Sequence, residues 1–332
     1  VAARCRITDP RLRTRVAGMD MANPIGLAAG FDKSARAVPF LSALGFGHVE
    51  VGSISADASA GNPRPRLFRL PDERAIVVNY GLPNDGAGRV GERLWRTHVL
   101  SAVGANIVST NHGPGVPMPN DDDVIRDYVH SARRLRGLAD YLCLNLSCPN
   151  TREGRNFFHD RGRLRALLEA LDDDSVAGPV FLKIAPFGDV AELESLLEAA
   201  DPWPFINGFS INLPPAKPPG MATPAAELAR MPGAVSGKPC AAAADRAIAR
   251  LYRRIDRQRH VVIGSGGVFN AADAYRKIRL GASMVQILTA LVYEGPMVVR
   301  SINKGLAALL AADGFKCVAD AVGVDANHAA LH

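Results

Sequence analysis

The chain has 332 residues, 48% of them hydrophobic and 22% charged, with a formal net charge of +6. That composition excludes a disordered polyelectrolyte and supplies enough apolar side chain for a large core. Five cysteines, an odd number without a C-x-x-C pair, exclude a disulfide framework, a zinc ribbon and an iron–sulfur cluster, and no stretch reaches transmembrane length.

Eight short apolar runs follow one another at residues 25–30, 49–53, 105–109, 141–147, 180–186, 208–213, 261–267 and 284–290. Near-continuous apolar strands suit a parallel sheet covered on both faces. Helical patterns separate them. Residues 122–138 carry Val124, Ile125, Val129, Ala132 and Leu135 at helical spacing. Segments 164–171, 190–199, 242–255, 271–278 and 298–311 behave alike. Eight β–α units in series predict a (β/α)8 TIM barrel, with residues 1–332 as a single domain. The alternative, a doubly wound sheet, lacks its G-x-G-x-x-G after the first strand.

Two insertions break the alternation. Residues 54–86 hold the Pro- and Arg-rich segment 61–65 and a hairpin signal around 71–74. Residues 214–240 are rich in Pro and Ala. Long insertions after barrel strands build or cover active sites. The basic residues are scattered. Arg133, Arg134 and Arg136, and Arg250, Arg253 and Arg254, read as polar helix faces rather than a nucleic-acid patch. A positive field also suits an anionic small molecule.

Polar residues at strand C-termini point into the site of such a barrel. Here they are Lys33, Ser53, Asn106, the run 145–150, Lys183, Asn212, the turn Gly264-Ser265-Gly266-Gly267 and Thr289. The glycine turn precedes a helix starting near Asn270, and glycines there let backbone N–H groups approach a phosphate. A tight turn is the plainer reading of the glycines alone; their place after the seventh strand favours the phosphate. Lys183 stands inside the apolar strand Val180-Phe181-Leu182-Lys183-Ile184, which is costly unless it meets an anion. Asn145-Leu146-Ser147-Cys148-Pro149-Asn150 offers amides, a hydroxyl and a thiol in one turn. Cys148 can serve as a nucleophile or proton carrier. Cys5, Cys143, Cys240 and Cys317 read as small buried hydrophobes.

Several runs carry a resemblance. They are Asn23-Pro24-Ile25-Gly26-Leu27-Ala28-Ala29-Gly30-Phe31-Asp32-Lys33, Gly61-Asn62-Pro63-Arg64-Pro65-Arg66-Leu67-Phe68-Arg69-Leu70 and Leu182-Lys183-Ile184-Ala185-Pro186. Ser236-Gly237-Lys238-Pro239 and Tyr293-Glu294-Gly295-Pro296 belong with them. From about Asp9 to Val322 the chain resembles the dihydroorotate dehydrogenase family, most closely its quinone-linked, membrane-associated class. The resemblance implies a TIM barrel with bound FMN that oxidises dihydroorotate to orotate in pyrimidine synthesis. It implies FMN contacts at Ala29, Ser53, Asn106, Asn145, Lys183, Gly237, Gly267, Leu288 and Thr289. It places Lys33, Asn84, Asn145, Asn150 and Asn212 against the substrate and makes Cys148 the base. It also implies a quinone acceptor and a place on the cytoplasmic side, soluble or peripherally attached to the inner membrane.

The chain departs from that pattern at named places. Cys148 stands where the quinone-linked class has Ser; Cys is the choice of the soluble classes, which Tyr80-Gly81-Leu82-Pro83-Asn84 also resembles. Leu213 stands where the family has Thr or Ser. Val108-Ser109-Thr110-Asn111 and Ser55-Ala56-Asp57-Ala58 replace familiar loops. Nothing in residues 1–20 resembles the class's N-terminal helical pair. These departures define a second expectation: a paralogous FMN oxidoreductase acting on another cyclic amide or enone. A third is a flavin- or phosphate-binding barrel without catalysis.

Overall fold

The computed structural model describes residues 2–113, 115–117, 119–148, 157–171, 176–186 and 189–328. All eight apolar runs are strands: β1 (Ile25–Leu27), β2 (His48–Ile54), β3 (Ala102–Ile107), β4 (Tyr141–Asn145), β5 (Val180–Ile184), β6 (Ile206–Ile211), β7 (Val261–Gly264) and β8 (Ala282–Ile287). Each pairs in parallel with its neighbours in sequence, and β8 pairs with β1 to close the barrel. Most strands stop short of the C-terminal end of their apolar run. There the backbone leaves the ladder and turns toward the barrel's upper face.

Eight helices wrap the outside: α1 (Val38–Ala43), α2 (Gly86–Trp95), α3 (Asp121–Leu135), α4 (Arg161–Leu171), α5 (Val190–Ala200), α6 (Ala241–Tyr252), α7 (Ala271–Arg279) and α8 (Val298–Ala312). Sequence periodicity marks the last six, within three residues at their ends. It passes over α1, which is only six residues long, and α2, whose apolar face is diluted by Gly86, Gly88 and Gly91. Capping explains several starts. Asn120 accepts from the Asp123 N–H at 2.8 Å, and Asp121, Asp122 and Asp123 fill the first turn of α3, where negative charge suits the helix dipole. Asp189 caps α5 and Asn270 caps α7 in the same way.

The core has two main compartments. Outward-facing strand residues pack under the helices in one large cluster. Inside the lower barrel, Tyr141, Cys143, Phe181, Ile263 and Met284 pack together. A hairpin of Thr14–Val16 and Met19–Met21 plugs this end, and its Val16 and Met21 join that cluster.

The two insertions meet above the upper face. Leu67–Leu70 and Ala75–Val78 form the expected hairpin, turning through Pro71–Glu73. A third strand, Ala234–Gly237, arrives from the insertion after β6 and pairs antiparallel with Ala75–Val78. Alternation along Ala75–Val78 sorts the residues. Ala75 and Val77 pack with Leu70, Leu228, Val235 and Cys240, while Ile76 and Val78 face down onto the barrel mouth. Tyr293 OH donates to the Ala75 carbonyl at 2.7 Å, and Arg74 pairs with Glu294, so the sheet is anchored to the segment following β8.

Two expectations need correction. Cys317 is half-buried, not a core hydrophobe; its N–H donates to Asp320 at 3.0 Å at the start of a short 3-10 helix. Arg250, Arg253 and Arg254 are half-buried rather than a freely solvated face, because Arg253 donates to the Ala326 carbonyl at 2.8 Å and Arg254 to Glu194 at 3.3 Å. Arg133, Arg134 and Arg136 are exposed. Among the described residues no helix is long and apolar enough to cross a membrane, and no group of His, Cys, Asp and Glu is arranged to hold a metal ion.

Candidate active site

A cleft opens at the C-terminal ends of the strands beneath the three-stranded sheet. Ala29, Lys33, Ser53, Asn145 and Cys148 line it, as do Lys183, Asn212, Gly267, Leu288 and Thr289. These ten come from seven different strand ends, so the barrel brings together residues far apart in sequence.

Four expected residues stand elsewhere. Asn106 lies just under the cleft and accepts the Ser53 hydroxyl hydrogen. Gly237 lies at the end of the covering sheet, where an added Cβ would sit 2.4 Å from the Arg74 carbonyl oxygen and 3.1 Å from Thr289 Cγ2. Asn84 is not on the cleft wall: its amide donates to Ser55 Oγ at 2.8 Å and the Leu82 carbonyl at 3.0 Å, and its carbonyl accepts from Gly86 N–H at 2.9 Å. Local bonds therefore occupy the side chain expected against the substrate. Asn150 lies outside the described residues.

The polar floor is a connected network. Asn145 donates to Ser53 Oγ at 3.1 Å and accepts from Asn212 at 3.2 Å. Asn212 also donates to Ser147. Below them stands Glu50, fully buried on β2. Its Oε1 accepts from Asn106 at 3.0 Å and Lys183 Nζ at 3.3 Å; its Oε2 accepts from Gln286 at 2.9 Å and Tyr141 OH at 3.1 Å. The anion that a lysine inside a strand requires is thus supplied within the barrel. Burial opposes the charge on Glu50, but the charge of Lys183 and the hydrogen bond from Gln286 outweigh it and hold the carboxyl below its usual range. Burial likewise opposes the charge on Lys183, and Glu50 outweighs it by its charge and hydrogen bond, so the ammonium is held above the usual lysine value. The two shifts agree: both groups are ionised.

At the rim, Lys33 Nζ donates to the Gly30 carbonyl and sits 3.9 Å from the centre of the Tyr80 ring. Burial, then the charge of Arg66, lowers its pKa to about 8; Asp32 and Cys148 offset only part. Cys148 is buried.

One wall suits a flat ring and a phosphate. Ile76, Val78, Ile287, Leu288 and Phe269 give apolar surface. Gly266 and Gly267 have φ of +90° and +73°, and a Cβ on Gly267 would lie 2.5 Å from Ala241 Cβ. Both the left-handed turn and the close approach of α6 therefore require glycine there. The turn leads into capped α7. Gln286 Oε1 is buried without a hydrogen-bond partner, which fits a bound group that brings an N–H donor. An extended planar heterocycle with a phosphate tail, such as a flavin mononucleotide, matches these features.

Sequence reasoning missed Glu50, Gln286, Ser236, Tyr80 and Phe269. For Glu50 a signal exists. Val49-Glu50-Val51 is a charge inside an apolar strand, the same signature that marks Lys183. Ser236 hydrogen-bonds Thr289 across 2.8 Å, a contact only the non-local sheet creates.

Comparisons with known proteins agree with this geometry. The family model described as dihydroorotate dehydrogenase matches residues 11–310. The dihydroorotate dehydrogenase (quinone) of Natronomonas pharaonis is 41% identical over 325 residues, covering 98% of this chain and 89% of that protein. That of Thermobifida fusca is 42% identical over 328 residues, covering 97% and 86%. Among solved structures, ligand-free DHODH from Eimeria tenella superposes with a TM-score of 0.85 at 30% identity, covering 98% of this chain and 96% of that one. The same enzyme in complex with ferulenol gives 0.83, covering 96% and 89%.

Proposed function

The chain belongs to the dihydroorotate dehydrogenase family, and from that premise we propose that it oxidises dihydroorotate to orotate with FMN and passes the electrons to a quinone. The observation that carries the reading is the cleft, where Cys148, Asn145, Asn212, Lys33 and Lys183 meet beside an apolar wall. FMN, when bound along that wall and the glycine turn, supplies the hydride acceptor. Residues 1–332 act as one unit around it. Reduction of a quinone places this upper face near a membrane surface that the protein touches peripherally.

The roles follow from the chemistry. Forming the double bond of orotate removes a hydride from one ring carbon and a proton from its neighbour. The proton is acidified by the adjacent carbonyl, and Cys148 as thiolate takes it. Asn145 and Asn212 present amides that both donate and accept, which suits the alternating N–H and C=O groups of the ring. Their present bonds to each other and to Ser147 can be exchanged for bonds to substrate. Lys33 meets the carboxylate. Lys183 places positive charge where the cofactor gains electrons.

Anaerobic mixing of purified, FMN-loaded protein with L-dihydroorotate tests the reading. Prompt bleaching of the visible flavin absorbance is the expected result. An unchanged spectrum sinks dihydroorotate as substrate.

Two further outcomes follow from the cleft. Lys33, with its pKa of about 8, loses its proton as pH rises through that value. Binding of the anionic substrate to free enzyme therefore weakens above pH 8, by up to about tenfold per pH unit. In KM measured against pH, Lys33→Met removes this inflection.

Leu213 lines the cleft beside Asn212, and its side chain offers no hydrogen bond. It favours the second reading, a paralogue with a different cyclic substrate, because a polar ring atom facing Leu213 stays unpaired at a cost of about 1–3 kcal/mol. Leu213→Thr is expected to lower KM for dihydroorotate by about five- to a hundredfold. A rise in KM instead favours a substrate with an apolar edge at that position.

A further inference from the structure

Glu50 has no part in the chemistry described above, yet it is bonded to four side chains on four strands. Asn106 comes from β3, Tyr141 from β4, Lys183 from β5 and Gln286 from β8. We propose that Glu50 is a positioning residue that fixes Lys183 at the cleft floor as a permanent cation and aligns Gln286 beside it. The inference rests on the reading of the cleft as a flavin site.

The argument is one of donors and acceptors. An ionised carboxylate only accepts, with roughly four lone-pair directions. Here four donors occupy them. Three of the four, an ammonium and two amide NH2 groups, cannot accept through the atoms they present. A proton added to Glu50 would therefore point at another donor. The carboxylate is locked in its ionised form, and a buried anion demands a cation beside it. Lys183, on a four-carbon stem that could otherwise take many rotamers, is held by that demand.

The other groups facing the pair do not replace either member. His48 is on β2 itself, one layer lower, and burial drives its pKa to about 4 against the pull of Glu50, so it is neutral. Tyr141 and Cys143 from β4 are both pushed well up by burial and stay protonated. Cys148 lies beyond the end of β4. From β1, β6 and β7 come Gly26, Ser210 and Ile263, which carry no charge.

The test reads the bound flavin's midpoint potential against pH, in dye-equilibrated titrations without substrate, so failure of the dihydroorotate reading leaves it intact. The native holoenzyme is expected to show no ionisation of Lys183 between about pH 6 and about pH 9.5, the ionisation of Lys33 near pH 8 being common to the native and variant profiles. In Glu50→Gln, Lys183 loses its anion and gains an ionisation in that window. Above it, flavin reduction becomes harder by about tenfold per pH unit relative to the native protein. Glu50→Gln/Lys183→Met abolishes the new ionisation. A Glu50→Gln profile that superimposes on the native one overturns the proposal, as does an ionisation that survives in the double variant. If the variants fail to fold, the 15N resonance of Lys183 Nζ in the native protein decides. An ammonium signal persisting above about pH 9.5 supports the proposal, and a neutral amine below it overturns it.

Discussion

Replacing Cys148 with Ala is expected to slow reduction of the bound flavin by dihydroorotate by about a hundred- to ten-thousandfold, the usual contribution of a positioned general base. The alanine removes the thiol and leaves the surrounding amides, which hold one another through Asn145 and Asn212. Substrate affinity and flavin potential should therefore change little, and the loss should fall on the rate of bleaching in anaerobic stopped-flow mixing. Cys148→Ser is expected to fall between the two, with its rate rising further at high pH, because a hydroxyl gives up its proton less readily than a thiol. Bleaching of Cys148→Ala at the native rate removes Cys148 from the chemistry and leaves the barrel reading standing.

The second large effect concerns stability. Lys183→Met preserves most of the side-chain volume and leaves Glu50 buried without its cation. Breaking a buried pair from one side costs about 3–5 kcal/mol. The sign with pH follows from the direction of the shifts. In the native protein the Glu50 carboxyl is held below its ordinary value, so its stabilisation is present at neutral pH and is lost as pH falls through the native value. In Lys183→Met burial acts without the lysine's attraction and raises that carboxyl. The penalty then stands at neutral pH and is relieved as the carboxyl takes up a proton. Urea denaturation of both apo-proteins at about pH 7 and about pH 5 should show a gap that narrows on acidification. A gap that is constant with pH places the loss in packing instead.

The barrel is legible in the sequence because its signal is local. Strands buried on both faces read as apolar runs, and the helices between them carry the 3.6-residue period. Lys183 and the glycine turn after β7 are legible for the opposite reason: each is a residue that packing alone would not choose. The covering sheet is half legible. Its hairpin is announced by the turn signal around residues 71–74, but its third strand pairs only through tertiary structure. Asn84 marks another boundary. Family resemblance assigns its role, yet its amide is spent on Ser55 and Leu82, which no pattern of spacing reveals. Glu50 hides in plain view, since a single charge in a strand is ordinarily assigned to solvent.

The roof over the cleft has a consequence for how the molecule comes to exist. Ala75–Val78 needs Ala234–Gly237 on one edge, and the Ala75 carbonyl needs Tyr293, 218 positions away. Contacts so distant along the chain close late, because the entropy of closing the intervening loop is lost before the contact repays it. The barrel strands can pair progressively with their neighbours as the polypeptide emerges, while the roof waits for nearly the whole chain. Uptake of the cofactor beneath it then reports the final step of folding. A nascent or truncated chain can own most of a barrel and still have nowhere to keep a flavin.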